Sequence, residues 1–169
     1  TDSRFRFFGG ERIGHAQSLV RACAEAQGRY LGILDSDDLL EPTALEATTA
    51  ILESRPEVGM VYTDHLVIDG NGQRRGLGRR CQIPFSKDRM LLDFMTFHFR
   101  LIRMEVFTQV GGFDETYPLA MDYDLCLRIA EVTEVKHLSA PLYRYRVHRD
   151  SLSYQKRLEQ IRCSHAAVV

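Results

Sequence analysis

The stretch "YLGILDSDDLL", residues 30–40, decides the fold class of this chain. Its first half, residues 30–34, has the apolar composition of a strand that is buried on both faces. Three acids follow directly, Asp35, Asp37 and Asp38. Ligands of open α/β sheets bind at the carboxyl ends of strands, so we expect these carboxylates to lie at a ligand site.

Helices are predicted on both sides of this strand. Residues 13–27 place small and apolar side chains at helical spacing, and Gly28 follows where a helix commonly ends. Residues 41–56 predict a second helix, with an inner stripe that includes Leu45 and Leu52. Helix, strand and helix in this order indicate an α/β fold.

The rest of the chain continues the alternation of strands and helices. Residues 141–148 alternate apolar and basic side chains, which is typical of an edge strand. No repeat or linker divides the sequence, so we expect one domain over residues 1–169. Further elements are predicted as strands at 58–69 and 98–103, helices at 88–97, 104–110, 121–131 and 153–169, and a turn at 70–72.

The charge balance and hydropathy exclude several classes of function. The formal net charge is −1, so no nucleic-acid partner is expected. The basic block "RRGLGRR", residues 74–80, is interpreted as a solvated loop. No apolar run approaches the roughly 20 residues that span a membrane. We therefore expect a cytoplasmic protein, which would reach the inner face of the membrane only through other parts of a longer chain.

The cysteines favour a reducing compartment. Cys23, Cys81, Cys126 and Cys163 are far apart and form no CxxC pair, so neither a zinc site nor a disulfide framework is expected. Cys23 and Cys126 fall on apolar helical faces, where a thiol acts as a small hydrophobic side chain.

Two interpretations of the three acids stay open at this point. Crowded carboxylates repel one another, and a hard divalent cation such as Mg²⁺ or Mn²⁺ relieves that cost. Such ions keep positions open for phosphate oxygens, so Asp35 and Asp37 suit a metal–diphosphate site. Alternatively, Asp37 or Asp38 caps the helix that follows.

Two later segments carry further candidate residues. Residues 110–128 contain a Gly-Gly pair and place Asp122 at the start of a helix. An acid in a first turn usually stabilises the helix, but an ionised aspartate can also accept a hydroxyl proton. Residues 143–153 contain His148, which suits a metal or a phosphate, although a lone histidine is more often structural.

Taken in order, these segments resemble the family 2 glycosyltransferases of the GT-A fold. The resemblance implies a mixed, mostly parallel central sheet flanked by helices, the fold of nucleotide-diphospho-sugar transferases. It implies the inverting transfer of a sugar from a nucleotide-diphosphate donor to a hydroxyl of a saccharide, lipid or protein acceptor. The segments that carry it are "RYLGILDSDDLLEP", "PEVGMVYTDHLVIDGNG", "VGGFDE", "MDYDLCLRIAE" and "LYRYRVHRDSLS".

The resemblance also implies a role for each matching residue. Asp35 would face the ribose or sugar of the donor, and Asp37 would hold Mn²⁺ or Mg²⁺ on the diphosphate. His148 would lie at the same metal and diphosphate, and Asp122 would be the general base for the acceptor. The loop that shapes the acceptor-side pocket would consist of Gly111, Gly112, Phe113 and Asp114.

The chain departs from the family pattern in two places. Met121 stands where the family has an acid before the base. The opening strand, helix and strand that carry a nucleobase-binding acid are not recognised, so we expect an N-terminally truncated domain that binds its donor weakly or not at all. An exposed sheet edge would follow, and with it a homodimer formed by pairing of edges.

Two other classes of function stay open. A phosphotransferase of the haloacid-dehalogenase type also ends an apolar strand in D-x-D, and it would use Asp35 as its nucleophile. The residues after Asp37 and the rest of the chain fit that pattern poorly. The second class is a non-catalytic binding or structural domain of the same fold.

Overall fold

A mixed sheet forms the centre of the molecule, and the computed structural model describes residues 2–168. The sheet has six strands in the order β1-β5-β3-β6-β2, and β4 pairs with β3. The strands are β1 (Tyr30–Gly32), β2 (Leu39–Leu40), β3 (Val58–Asp69), β4 (Arg74–Leu77), β5 (Arg100–Arg103) and β6 (Glu134–Val147).

The longest pairing in the sheet joins β3 and β6 in parallel, from Val58 opposite Glu134 to Asp69 opposite Val147. The other four pairings among the described residues are antiparallel. The mixed α/β class is therefore confirmed, but the prediction of a mostly parallel sheet is wrong. One reason is the tight turn between β3 and β4, since a connection of this length allows only antiparallel pairing.

Helices lie at most of the predicted positions, but the helix predicted at 88–97 is wrong, because that helix covers only Lys87–Met90. The predictions of helices within 13–27, 41–56 and 121–131 are confirmed. Within residues 2–168 no helix is both long and apolar enough to cross a bilayer. The helices are α1 (His15–Ala24), α2 (Ala44–Ser54), α3 (Lys87–Met90), α4 (Met104–Gln109), α5 (Met121–Val132), α6 (Leu152–Gln155) and α7 (Arg157–Ala166), with a 3-10 helix at Arg79–Gln82.

Strand β3 divides the core into two clusters, because successive side chains of a strand point to opposite faces. Met60 and Tyr62 pack in the cluster that contains the inner face of α5. Val61 packs in the second cluster, which contains residues of α2 and β5. Cys23 and Cys126 are buried in the first cluster, which confirms their interpretation as core residues.

Helix α2 shows how a shift of one residue along a helix changes which side chains are buried. Ala44, Thr48 and Leu52 are fully buried, whereas Leu45 is exposed. These three buried residues are four positions apart and therefore lie on one face of the helix, which packs against the sheet. The prediction of Leu52 as a core residue is confirmed, and that of Leu45 is wrong.

Two strand predictions also need correction. Residues 141–148 do not form an edge strand, because β6 lies between β3 and β2. Residues 74–80 are mostly exposed to solvent, as predicted, but they form β4 and the start of the 3-10 helix and not a loop. Strands β1 and β2 end the sheet with three and two residues, so they offer little edge to a second copy. The homodimer stays a prediction.

Candidate active site

The acids after β1 form a tight turn in which each side chain has a different environment. The backbone N–H of Asp38 donates to the carbonyl of Asp35 over 3.1 Å, which closes the turn. Asp38 is buried and accepts hydrogen bonds from the Tyr143 hydroxyl at 2.7 Å and the Arg146 backbone N–H at 2.6 Å. Burial raises the pKa of Asp38 to about 6 in spite of these bonds. Asp38 therefore ties the end of β1 to β6.

Capping of α2 by these acids is not observed. The N-cap of α2 is Thr43, and its side chain makes no capping hydrogen bond. The Asp38 carboxylate accepts hydrogen bonds from β6, and the Asp37 carboxylate contacts His148. The capping interpretation is therefore wrong, which leaves Asp37 available for a ligand.

Asp37 meets His148, the candidate from the far end of the chain. His148 Nε2 lies 2.8 Å from Asp37 Oδ2, and both side chains are partly exposed. The Arg146 side chain donates to the Asp37 carbonyl over 2.6 Å and so fixes the turn against β6. A carboxylate and an imidazole thus converge at the surface, with atoms that can both ligate a cation.

Asp35 is the first acid of the turn, and its side chain lies beside His98. Its carboxylate Oδ2 is 3.9 Å from His98 Nε2. Burial is the main cause that raises the pKa of Asp35, and the negative charges of Asp37 and Asp122 raise it further, while His15 and Arg100 oppose the shift. The negative charges of Asp37 and Asp122 therefore both disfavour ionisation of Asp35.

Asp122 occupies the first turn of α5 and is held by a buried arginine. Both terminal nitrogens of Arg100 lie 3.2 Å from Asp122 Oδ2, and the Tyr123 N–H donates to Oδ1 over 3.0 Å. Arg100 is itself buried in β5 and also donates to the Thr96 carbonyl. Met121, which stands in place of an acid, is buried in the core. The Asp122 carboxylate is thus oriented while it stays partly open to solvent.

The Gly-Gly loop follows α4. Gly111 and Gly112 have φ of +82° and +70°, a conformation that favours glycine and turns the chain sharply. Phe113 packs edge to face on Phe107, and Asp114 is exposed and accepts from the Thr116 N–H at 2.8 Å. Among the described residues, no hydrogen bond or ion pair joins this loop to Asp35, Asp37 or Asp122.

Three residues that hold the site were missed by sequence reasoning, Tyr143, His98 and Arg100. Tyr143 lies in β6, whose alternation was interpreted as a sign of an edge, with Arg144, Arg146 and Arg149 as residues that could offset phosphate charge. Arg100 could have been identified from the sequence, because it lies in an apolar strand and a buried arginine needs an acidic partner. His98 offered no such signal, since a single histidine before a strand has many environments.

The donor set for a metal is small. Within residues 2–168, no three or more His, Cys, Asp or Glu side chains converge in a way that would hold a metal ion. Asp37 and His148 supply two ligand atoms at hydrogen-bond distance from each other. Such a pair fits a cation that takes its remaining ligands from phosphate oxygens and water, as Mg²⁺ commonly does.

The sequence matches a family model and several curated proteins. The family model described as "Glycosyl transferase family 2" matches residues 1–111. The chain is 31% identical over 166 residues to the chondroitin synthase of Pasteurella multocida (strain Pm70), which covers 98% of the chain and 17% of that protein. It is 31% identical to the hyaluronan synthase of Pasteurella multocida, over 90% of the chain and 16% of that protein. The chain thus spans about a sixth of these relatives.

Solved structures share the fold at low identity. "Crystal structure of S. aureus TarS 1-349" superposes with a TM-score of 0.65 at 15% identity, over 95% of this chain and 46% of that one. The mannosyltransferase PcManGT from Pyrobaculum calidifontis, in complex with GDP-Man and Mn²⁺, superposes with a TM-score of 0.64 at 17% identity, over 92% and 44%. The GT-A fold class is therefore confirmed, and the comparisons give no support to the haloacid-dehalogenase alternative.

Proposed function

The chain belongs to glycosyl transferase family 2, and we propose that it transfers a sugar, with inversion, from a nucleotide-diphosphate donor to a hydroxyl of a saccharide, lipid or protein acceptor. The observation that carries the proposal is the convergence of side chains that the sequence keeps far apart. Asp37 contacts His148, and Asp38 in the same turn contacts Tyr143 and the Arg146 backbone. The names of the relatives, chondroitin synthase and hyaluronan synthase, support a role in polysaccharide biosynthesis.

The donor half of the site would be built on the turn after β1. Asp37 and His148 would hold Mn²⁺ or Mg²⁺, and the cation would stabilise the charge of the diphosphate leaving group. The GDP-Man and Mn²⁺ in the PcManGT structure support this type of donor and cation. Asp35, half-buried beside Asp37, would accept hydrogen bonds from hydroxyls of the donor ribose or sugar.

The acceptor half would be built on the start of α5. Asp122, paired with Arg100, would act as general base and take the proton of the acceptor hydroxyl. The oxygen would attack the anomeric carbon from the face opposite the diphosphate, and this single displacement inverts the configuration. The loop from Gly111 to Asp114 would shape the wall on the acceptor side.

Calorimetric titration of Mn²⁺ with UDP and with GDP into the 169-residue chain tests the donor half. We expect metal-dependent binding of one nucleotide and its loss in Asp37→Ala and in His148→Ala, because each variant removes one cation ligand. Asp150→Asn is the matched control, since it removes an exposed carboxylate two residues from His148 and should bind like the wild type. Equal binding by all three variants would rule out Asp37 and His148 as the cation ligands.

A further inference from the structure

Arg80 is held over aromatic rings beside the proposed general base. Its guanidinium carbon lies 4.4 Å from the centre of the Phe97 ring and 5.2 Å from that of Phe94. Arg100, the partner of Asp122, lies over the same Phe94 ring at 5.5 Å. Aromatic faces attract a cation but do not neutralise it, and they leave its N–H donors at the edge of the plane free.

The ion pairs around Arg80 leave its positive charge uncompensated. Asp122 is paired with Arg100 at 3.2 Å, and Asp93 is paired with Arg89 at 2.9 Å. For Arg80 itself, neither an ion pair nor a side-chain hydrogen bond is found within residues 2–168. No carboxylate among the described residues is therefore paired with Arg80 directly, and its N–H groups are available to an anion.

Arg80 is also within electrostatic reach of Asp122. The residue has an exposed surface, yet surrounding groups desolvate its guanidinium enough to lower its pKa. Among the groups that oppose this shift, the negative charge of Asp122 has the largest effect. An anion bound by Arg80 would therefore sit close to the hydroxyl that Asp122 is proposed to deprotonate.

We propose that Arg80 binds an anionic group, a carboxylate or a phosphate, of the acceptor, and that the acceptor is an acidic saccharide. The planar guanidinium presents two parallel N–H groups, which match the two oxygens of a carboxylate or phosphate. The inference rests on the proposed function, because it takes Asp122 as the base that marks the acceptor side.

The position of Arg80 favours the acceptor over the donor diphosphate. The diphosphate is assigned to Asp37 and His148, and neither is among the groups whose charges act most strongly on Arg80. The guanidinium lies nearest to Phe97, which packs on His98 beside Asp35, and it shares Phe94 with the arginine that holds Asp122. The shared Phe94 ring places Arg80 next to the pair of Arg100 and Asp122 and supports the assignment to the acceptor side.

NMR titrations of the 169-residue chain test this inference with matched probes, in the presence and absence of Mn²⁺ and UDP or GDP. Cellobiouronic acid is compared with cellobiose, and glucose 6-phosphate with glucose, so that each pair differs in one anionic group. We expect at least one anionic probe to bind about tenfold more tightly than its neutral partner, the size of one good charge-assisted contact. The pair that shows the preference identifies carboxylate or phosphate as the group bound.

Two variants decide whether the preference belongs to Arg80. In Arg80→Gln we expect the anionic and neutral probes to bind equally, whereas Arg79→Gln should keep the tenfold preference. Arg79 is the matched control, because it is the exposed neighbour in the same 3-10 helix and carries the same charge.

Three results would overturn the inference. The first is equal binding of anionic and neutral probes by the wild type, and the second is an equal loss of preference in both variants. The third is loss of metal-dependent UDP or GDP binding in Arg80→Gln, which would assign Arg80 to the donor. A wild type that binds no nucleotide but keeps an Arg80-dependent preference would count against the proposed donor site alone.

Discussion

Asp37 and Asp38 are neighbours of the same residue type, yet the fold uses them in different ways. Asp38 is buried and bonded to Tyr143 and to the Arg146 backbone, whereas Asp37 stays partly exposed beside His148. The sequence could predict that a carboxylate site follows β1, because acids at a strand end are costly without a ligand. It could not predict which acid is structural, since the turn that orients them is closed by contacts with a strand more than a hundred residues away.

Asp122→Asn tests the proposed general base. We expect sugar transfer to fall by about 100-fold or more, because an amide cannot accept the hydroxyl proton, while Mn²⁺-dependent nucleotide binding stays unchanged. The measurement is the transfer of labelled sugar from UDP- and GDP-sugar donors. Glu131→Gln, an exposed carboxyl-to-amide change in α5, is the control and should keep full activity. Wild-type transfer by the Asn variant would exclude Asp122 as the base.

At the level of elements, local periodicity predicted helices better than it predicted sheet pairing. Helix α5 and its buried Leu125, Cys126 and Ile129 agree with the prediction, because an amphipathic stripe is a local property. The predicted position of β6 at an edge of the sheet was wrong, because the alternating arginines of this strand suggested an exposed edge. Inside the sheet these side chains have partners, such as Glu41 for Arg144 at 2.6 Å, and such long-range contacts leave no local pattern.

Gly78→Ala tests how the 3-10 helix that carries Arg80 is attached to the sheet. A Cβ at Gly78 would overlap the imidazole of His65, which is itself buried, so neither group can give way freely. We expect a loss of about 1–3 kcal/mol in the free energy of unfolding, the usual cost of overpacking. Urea unfolding followed by circular dichroism measures it.

Gly70→Ala is the control for this substitution. A Cβ at Gly70 would meet nothing within 4 Å, so we expect a change of less than about 0.5 kcal/mol. If both variants were equally stable, the contact between the 3-10 helix and His65 would not be rigid.

For the whole molecule, buried histidines make stability depend on pH. Burial is the main cause that lowers the pKa of His65 to about 4, and the charge of Arg80 adds to it. The unfolded chain, with an ordinary pKa near 6.5, binds this proton first as pH falls. The contribution of His65 to stability is therefore complete above about pH 6.5 and is lost towards pH 4, by roughly 3 kcal/mol.

This pH dependence is measured by comparing the free energy of unfolding of the wild type with that of His65→Gln at several pH values. Asp38 acts in the opposite direction, because its raised pKa makes ionisation costly, so only the difference between the two proteins isolates His65. We expect the difference to shrink by about 3 kcal/mol from pH 6.5 to pH 4. A difference that stays constant from pH 6.5 to pH 4 would contradict the prediction.

The link between Asp38 and Arg146 has a consequence for the order of events in folding. It joins residues 108 positions apart, and the parallel pair β3–β6 also closes a long stretch of chain. Closing such loops costs entropy before any contact is gained, and high contact order slows folding. Helices can form early from local contacts, but the turn that orients Asp37 can be completed only when β6 docks. Assembly of the candidate active site is therefore expected among the late steps, and a chain that stops before residue 143 would contain the acids without the contacts that arrange them.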